Sequence, residues 1–175
     1  MAQEQDATLE GLKTALQMEI DGKEFYLKAS KASQNKLGKE LLKKLAAEED
    51  AHRKVFKDIY NKIKNNKGWT EVKFKPDGGK GLKTLFAAAV EKMDKNVSSM
   101  PAELDAVKTA MDMENKTLDF YKGRSAKTTF EAEKKLYDSL AEQESEHHRV
   151  LLDYYEFLKD PAAWYVQKEH TAVDG

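Results

Sequence analysis

Six side chains stand out by type and spacing. Glu49 and His52 lie three residues apart, as do Glu144 and His147, and each pair follows a single glutamate, Glu19 or Glu114, by 30 residues. One uniform shift of 95 residues, with no gap, carries the first trio onto the second. Positions i and i+3 share a helical face, so each Glu-x-x-His unit projects a carboxylate and an imidazole together. They fall in stripes with Leu45 and Phe56 in one half and with Leu140 and Leu151 in the other. Those stripes are where the periodicity demands core. An uncompensated carboxylate there costs about 2 kcal/mol or more, or takes up a proton. Two divalent cations would neutralise four converging carboxylates, and carboxylate oxygen with imidazole nitrogen suits iron or manganese. The expected chemistry is a dinuclear metal site ligated by Glu19, Glu49, His52, Glu114, Glu144 and His147.

A lone Glu-x-x-His on a charged helix is commonly a solvent-facing coincidence, and the duplication is what lifts these two units above it. His148 competes with His147, but the repeat offset and the i+3 geometry both select His147 and leave His148 expected on the surface. Glu48 yields to Glu49 because its counterpart is Gln143. His170 has no partner pattern. Tyr26 and Tyr121 lie seven residues, two turns, beyond Glu19 and Glu114. They read either as core aromatics or as hydrogen-bond donors to a ligand glutamate of the opposite half. Gly78-Gly79-Lys80 lacks the spacing of a phosphate-binding loop.

The elements that must position these groups are helices. Met18/Met113, Phe25/Phe120, Leu41/Leu136, Leu45/Leu140, Ala46/Ala141, Val55/Val150 and Tyr60/Tyr155 keep the same offset. The repeat is therefore a whole helical hairpin. Helical spacing predicts helices over about 7–33, 36–64, 99–125 and 129–159, with a tight turn at Asn35–Gly38 and the last helix ended by Asp160-Pro161. Pro101 sits in a first turn, where a missing N–H does no harm. Residues 65–98 form the connection between the halves, marked by Asn65-Asn66, Gly68, Pro76 to Gly79 and Gly81, with a short helix around Leu82 to Met93. A 28-residue helix is about 42 Å long, and roughly 13 residues of extended chain span that distance. The connection is long enough to return along the whole bundle, while the other turns are short. The expected fold is all-α, a ferritin-like four-helix bundle with a long crossover between the second and third helices, in a single domain over 1–175 with a short tail over 160–175.

Composition narrows the function classes. Lys+Arg 30 against Asp+Glu 31 leaves a formal charge of −1, which gives no global reason for nucleic acid or an anionic membrane as partner. The lysines between Lys62 and Lys67 read as a solvated helix end. No apolar stretch approaches the ~20 residues that span a bilayer, and MAQEQDATLEG has neither a basic nor an apolar signal region. A cytoplasmic location is expected. The absence of cysteine excludes disulfides and cysteine-ligated iron from this chain, so electrons for any redox reaction must come from another molecule.

The pattern of two single glutamates and two Glu-x-x-His units resembles the ferritin-like di-iron carboxylate proteins. The segments MEIDGKEFY, LAAEEDAHRKVF, MDMENKTLDFY and LAEQESEHHRVLLDYYEFLKDPAAWY resemble their rubrerythrin branch, over about residues 7 to 165. The resemblance implies two iron ions, with manganese or zinc as substitutes, on the six residues named above. It implies an oxidoreductase that reduces hydrogen peroxide, or less readily dioxygen, with an external donor such as a rubredoxin-like protein, and a homodimer as the assembly. Two departures from the family pattern stand out. The chain has no rubredoxin domain, and Thr117 occupies the place of an additional carboxylate one turn beyond Glu114. The alternatives are a ferroxidase or iron-handling protein without a storage shell, and a structural bundle with a vestigial site.

Overall fold

The computed structural model describes residues 2–69, 77–93 and 101–173, with side chains from 4 to 167 within them. Most of them lie in six helices: α1 Ala2–Ala32, α2 Lys36–Lys64, α3 Lys80–Glu91, α4 Pro101–Lys127, α5 Glu131–Lys159 and α6 Pro161–Val173. Among the described residues there is no strand. The fold is an all-α ferritin-like bundle of α1, α2, α4 and α5, as the periodicity predicts.

Two boundaries differ from expectation. Helix α1 begins at Ala2 rather than near Ala7. Asn35–Gly38 is not a separate turn: Asn35 caps α2, its side-chain oxygen accepting the Gly38 N–H at 2.6 Å, and Gly38 already lies in the first helical turn. A Cβ on Gly38 would run into the Ser33 and Tyr154 hydroxyls, so glycine here reflects close approach. Ser99, Pro76 and the crossover residues 70–76 and 94–98 lie outside the described residues, as does the side chain of His170. The chain enters α3 through Gly78 and Gly79, both at positive φ, with Asp77 accepting from the N–H groups of Gly79 and Gly81. Asp160 ends α5 and also caps α6, where Pro161 fills the first turn and Asp160 accepts the Ala163 N–H at 3.0 Å.

Directions follow from the cross-helix contacts. Near the start of α1, Gly11 lies against Arg124 at the end of α4, while Ser33 just beyond the end of α1 donates to Glu103 at the start of α4; the two helices are antiparallel. Hairpin partners α1 and α2 are antiparallel as well, with Lys23 on Asp50 and Ser30 on Lys39. Helices α2 and α4 therefore run the same way, which obliges the crossover to return along the bundle. Its helix α3 packs on α2 and α5 through Leu82, Phe86 and Val90.

The apolar core falls into two clusters with the polar residues between them. One gathers Leu41, Leu45, Leu151, Tyr154 and Phe157 with α3 and, from α6, Trp164 and Tyr165. The other gathers Leu12, Phe56, Ile59, Tyr121, Tyr137 and Leu140. Burying such side chains contributes about 1.5–3 kcal/mol each, enough to hold an ionisable layer at mid-bundle.

Candidate metal centre

Each of the four long helices brings its share of the layer to the same depth: Glu19 from α1, Glu49 and His52 from α2, Glu114 from α4, Glu144 and His147 from α5. None exposes more than 3 % of its surface. They form two overlapping groups, Glu19–Glu49–His52–Glu144 and Glu49–Glu114–Glu144–His147, in each of which one ligand atom per residue lies within 4.8 Å of the others. Glu49 and Glu144 belong to both groups. The two imidazoles stack with centroids 5.7 Å apart and planes 7° from parallel.

Each ring turns the same edge inward. His52 Nδ1 lies 3.2 Å from both Glu19 Oε2 and Glu144 Oε1, and His147 Nδ1 lies 2.9 Å from Glu49 Oε1. The outward Nε2–H of His52 donates to Gln143 Oε1 at 2.8 Å, and that of His147 donates to Glu48 Oε2 at 2.8 Å. An amide carbonyl and a carboxylate can only accept, so a ring that gives up its Nδ1 proton to offer that atom to a cation keeps its other proton on Nε2. Tyr26 donates to Glu114 and Tyr121 to Glu19, each reaching the glutamate of the opposite half.

Without cations the layer is electrostatically frustrated. Burial raises Glu49 and Glu144 well above the carboxylate range, reinforced by the charges of Glu19 and Glu144 on the one and of Glu114 and Glu19 on the other. For Glu19, burial also acts upward, but the His52 charge and hydrogen bonds from His52 and Tyr121 outweigh it and leave it lowered. Glu114 is likewise lowered against burial by its hydrogen bonds and the His147 charge. Burial would lower both histidines, yet Glu19 lifts His52 to about 9 and Glu114 lifts His147 well above its ordinary value. Burial and the adjacent carboxylates hold Tyr26 and Tyr121 protonated.

Glu49 Oε1, Glu114 Oε2, Glu144 Oε1 and His147 Nδ1 are buried without a hydrogen-bond partner, and such orphaned polar atoms are costly. Deprotonated, they are the lone pairs that two cations would take up, so the donor set fits a pair of divalent metals. A cavity of about 10 Å³ reaches the cluster, lined by Met18, Gly22, Met113 and Thr117 beside Tyr26, Glu49, Glu114 and Glu144. Thr117 turns its hydroxyl back onto Met113 O at 3.1 Å. A Cβ on Gly22, its counterpart in the repeat, would stand 3.3 Å from Glu49 Oε2.

His148 is half-buried, not exposed, and belongs to neither ligand group. Sequence reasoning passed over Glu48 and Gln143 as failed matches. The signal was present: they also keep the 95-residue offset, each four residues before a histidine or its repeat equivalent, and both carry an acceptor oxygen.

Fold and layer together define a ferritin-like bundle with a buried carboxylate–histidine cluster compatible with a di-metal site. The sequence profile of the Rubrerythrin family matches residues 10–155, and the chain belongs to that family. No curated protein and no solved structure is similar enough to the chain to count as a match.

Proposed function

We propose that the chain is a di-iron oxidoreductase that reduces hydrogen peroxide, in preference to dioxygen, with electrons from an external donor. The observation that supports this most is the pairing of a buried two-group cluster with a water-sized cavity lined by its shared glutamates. Glu19 with His52 would hold one ion and Glu114 with His147 the other, with Glu49 and Glu144 between them. Bound iron supplies one electron per ion and polarises the oxygen that develops charge. Zinc, which has no redox chemistry, would bind without turnover.

The chain's own groups do the rest. Tyr26 and Tyr121 fix the orientation of Glu114 and Glu19. The two apolar clusters exclude bulk water, which strengthens every charge interaction inside. An opening of about 10 Å³ is roughly one water in size, which favours a molecule as small as peroxide. Reduction of one peroxide to two waters consumes two electrons and two protons. In a chain without cysteine the electrons are supplied from outside, in this reading by a rubredoxin-like protein to a cytoplasmic homodimer.

Thr117 favours a second reading, in which the centre oxidises Fe(II) and passes it on. Its hydroxyl donates to Met113 O, and the residue brings no carboxylate to the cavity that it lines. Stopped-flow mixing of the Fe(II)-loaded protein with peroxide and, separately, with dioxygen distinguishes the readings. Faster reaction with peroxide and sustained turnover with an added reductant support the oxidoreductase. Continued oxidation of added Fe(II) by dioxygen, with no peroxide turnover, supports iron handling.

A further inference from the structure

The duplication makes the inner layer of the cluster identical in the two halves, glutamate for glutamate and histidine for histidine. The first layer behind it is not identical. We infer that Glu48 and Gln143 render the two halves of the centre unequal, so that the metal on the His147 side is held more tightly and oxidised more readily than the metal on the His52 side. The inference rests on the di-metal reading of the site.

Glu48 and Gln143 are repeat counterparts and occupy equivalent places, each half-buried and each accepting the Nε2–H of the histidine from the opposite half at 2.8 Å. Geometry is therefore held constant and only the acceptor differs, a carboxylate behind His147 and a neutral amide behind His52. A charge-assisted hydrogen bond is roughly twice as strong as a neutral one, and a carboxylate behind a ligating imidazole raises the basicity of the ring. That greater electron donation passes through the ring to Nδ1, the atom that faces Glu49 and Glu114. Lys44 lies 3.5 Å from Glu48 Oε1, but its side chain is 45 % exposed, where water screens most of its effect. Glu48 thus brings a negative charge to one half that the other lacks. It is a positioning residue, acting through His147 without touching the metal.

Anaerobic titration with cobalt(II), read by visible absorption and by the paramagnetically shifted Nε2–H proton resonances, tests this. The two ring protons are assigned from single-histidine variants. In the native protein the His147 resonance should appear first as cobalt is added. Glu48→Gln should weaken the first binding step by about tenfold, within the range for loss of such a partner, and bring the two steps together. Gln143→Glu should strengthen the second step. The double exchange, Glu48→Gln with Gln143→Glu, should restore the separation with the His52 resonance first. That reversal separates an electronic role from a structural one, since two merely disruptive substitutions would only add their losses. Both substitutions preserve shape, and circular dichroism checks the fold; should one variant unfold, the other carries the same test. The same order of filling in native and exchanged proteins, or no change of either step in a folded single variant, overturns the inference. Failure of the native protein to bind cobalt at all would overturn the di-metal reading itself, a result distinct from two steps that ignore Glu48.

Discussion

The two hairpins, α1–α2 and α4–α5, agree at mid-bundle and disagree at their ends. At the centre, Glu19, Tyr26, Glu49 and His52 face Glu114, Tyr121, Glu144 and His147 with every residue type kept. At one end a carboxylate on α4, Glu103, accepts from Ser33 Oγ at 2.8 Å and from Gln34 N at 2.6 Å, with Asn35 and Tyr154 alongside. At the other end the carboxylate is on α5: Glu133, 1 % exposed, accepts from Arg124 at 2.8 Å and from the hydroxyls of Thr8 and Thr128 at 3.0 and 2.8 Å. The repeat counterparts of Glu103 and Glu133 are Thr8 and Gly38. A helix end needs only some partner for its free N–H groups and buried polar atoms, and several residue sets meet that need. A cluster that shares two glutamates between two ligand groups leaves far less choice.

The sharpest way to break the comparison is at the shared glutamates. Glu49→Ala or Glu144→Ala should take metal content from two ions per chain to well below one, since each carboxylate serves both groups. Inductively coupled plasma analysis after anaerobic loading measures it, and retention of two ions would show that the sharing is not needed.

Next in size is the response to pH without metal. The folded pKa of His52 is raised from 6.5 to about 9, and those of His147, Glu49 and Glu144 are raised as well. Stability from a raised group is fully present below its unfolded pKa and is lost as pH rises through the folded value. Glu19 and Glu114 are lowered from 4.5, so their contribution is present above that value and lost only as pH falls through the folded ones. Between pH 6.5 and 9 the melting temperature of the metal-free protein should therefore fall. The increment from added metal should grow over the same window, because binding displaces protons from the ligands. Thermal melts by circular dichroism, with and without metal, give both slopes.

Much of this layout was legible in the chain. The buried carboxylate–histidine cluster could be read because the 95-residue repeat and the i+3 spacing are properties of sequence alone, and the helices because apolar residues keep to one face. The two end clusters were not legible. Glu103 and Glu133 are acidic residues among 31, and only the packing of the helices decides which of them gather hydrogen bonds. Glu48 and Gln143 were hidden differently, since a rule that demands identity across the repeat discards a pair that keeps its place and changes its charge. The cap at Asn35 was not legible either, since Asn35 and Gly38 are also turn residues, whereas the glycine serves the approach of Tyr154.

The ends give smaller effects than the centre, and unequal ones. Arg124→Met leaves Glu133 buried with only two hydroxyl donors, and should cost about 3 kcal/mol, the low end for breaking a buried ion pair. Glu103→Gln keeps one acceptor oxygen and should cost about 1 kcal/mol. Urea denaturation of the two variants compares them directly, and equal losses would mean the two ends are not the different solutions that their hydrogen bonds indicate. Smallest is the cavity side of the comparison, where Thr117 faces Gly22. Thr117→Glu should speed peroxide oxidation of the Fe(II) protein by about tenfold, or ~1.4 kcal/mol of barrier, and change the dioxygen rate little. Unchanged stopped-flow rates in a fully loaded variant would show that this position does not limit the reaction.

The central claim is that two half-sites, sharing Glu49 and Glu144, bind a pair of metals. Anaerobic loading of the native protein with ⁵⁷Fe(II), followed by metal analysis and Mössbauer spectroscopy, tests it most directly. The account predicts two high-spin ferrous ions per chain that, on oxidation, become a magnetically coupled diferric pair. Iron content near zero, or ferric ions that behave as isolated paramagnets, would contradict it.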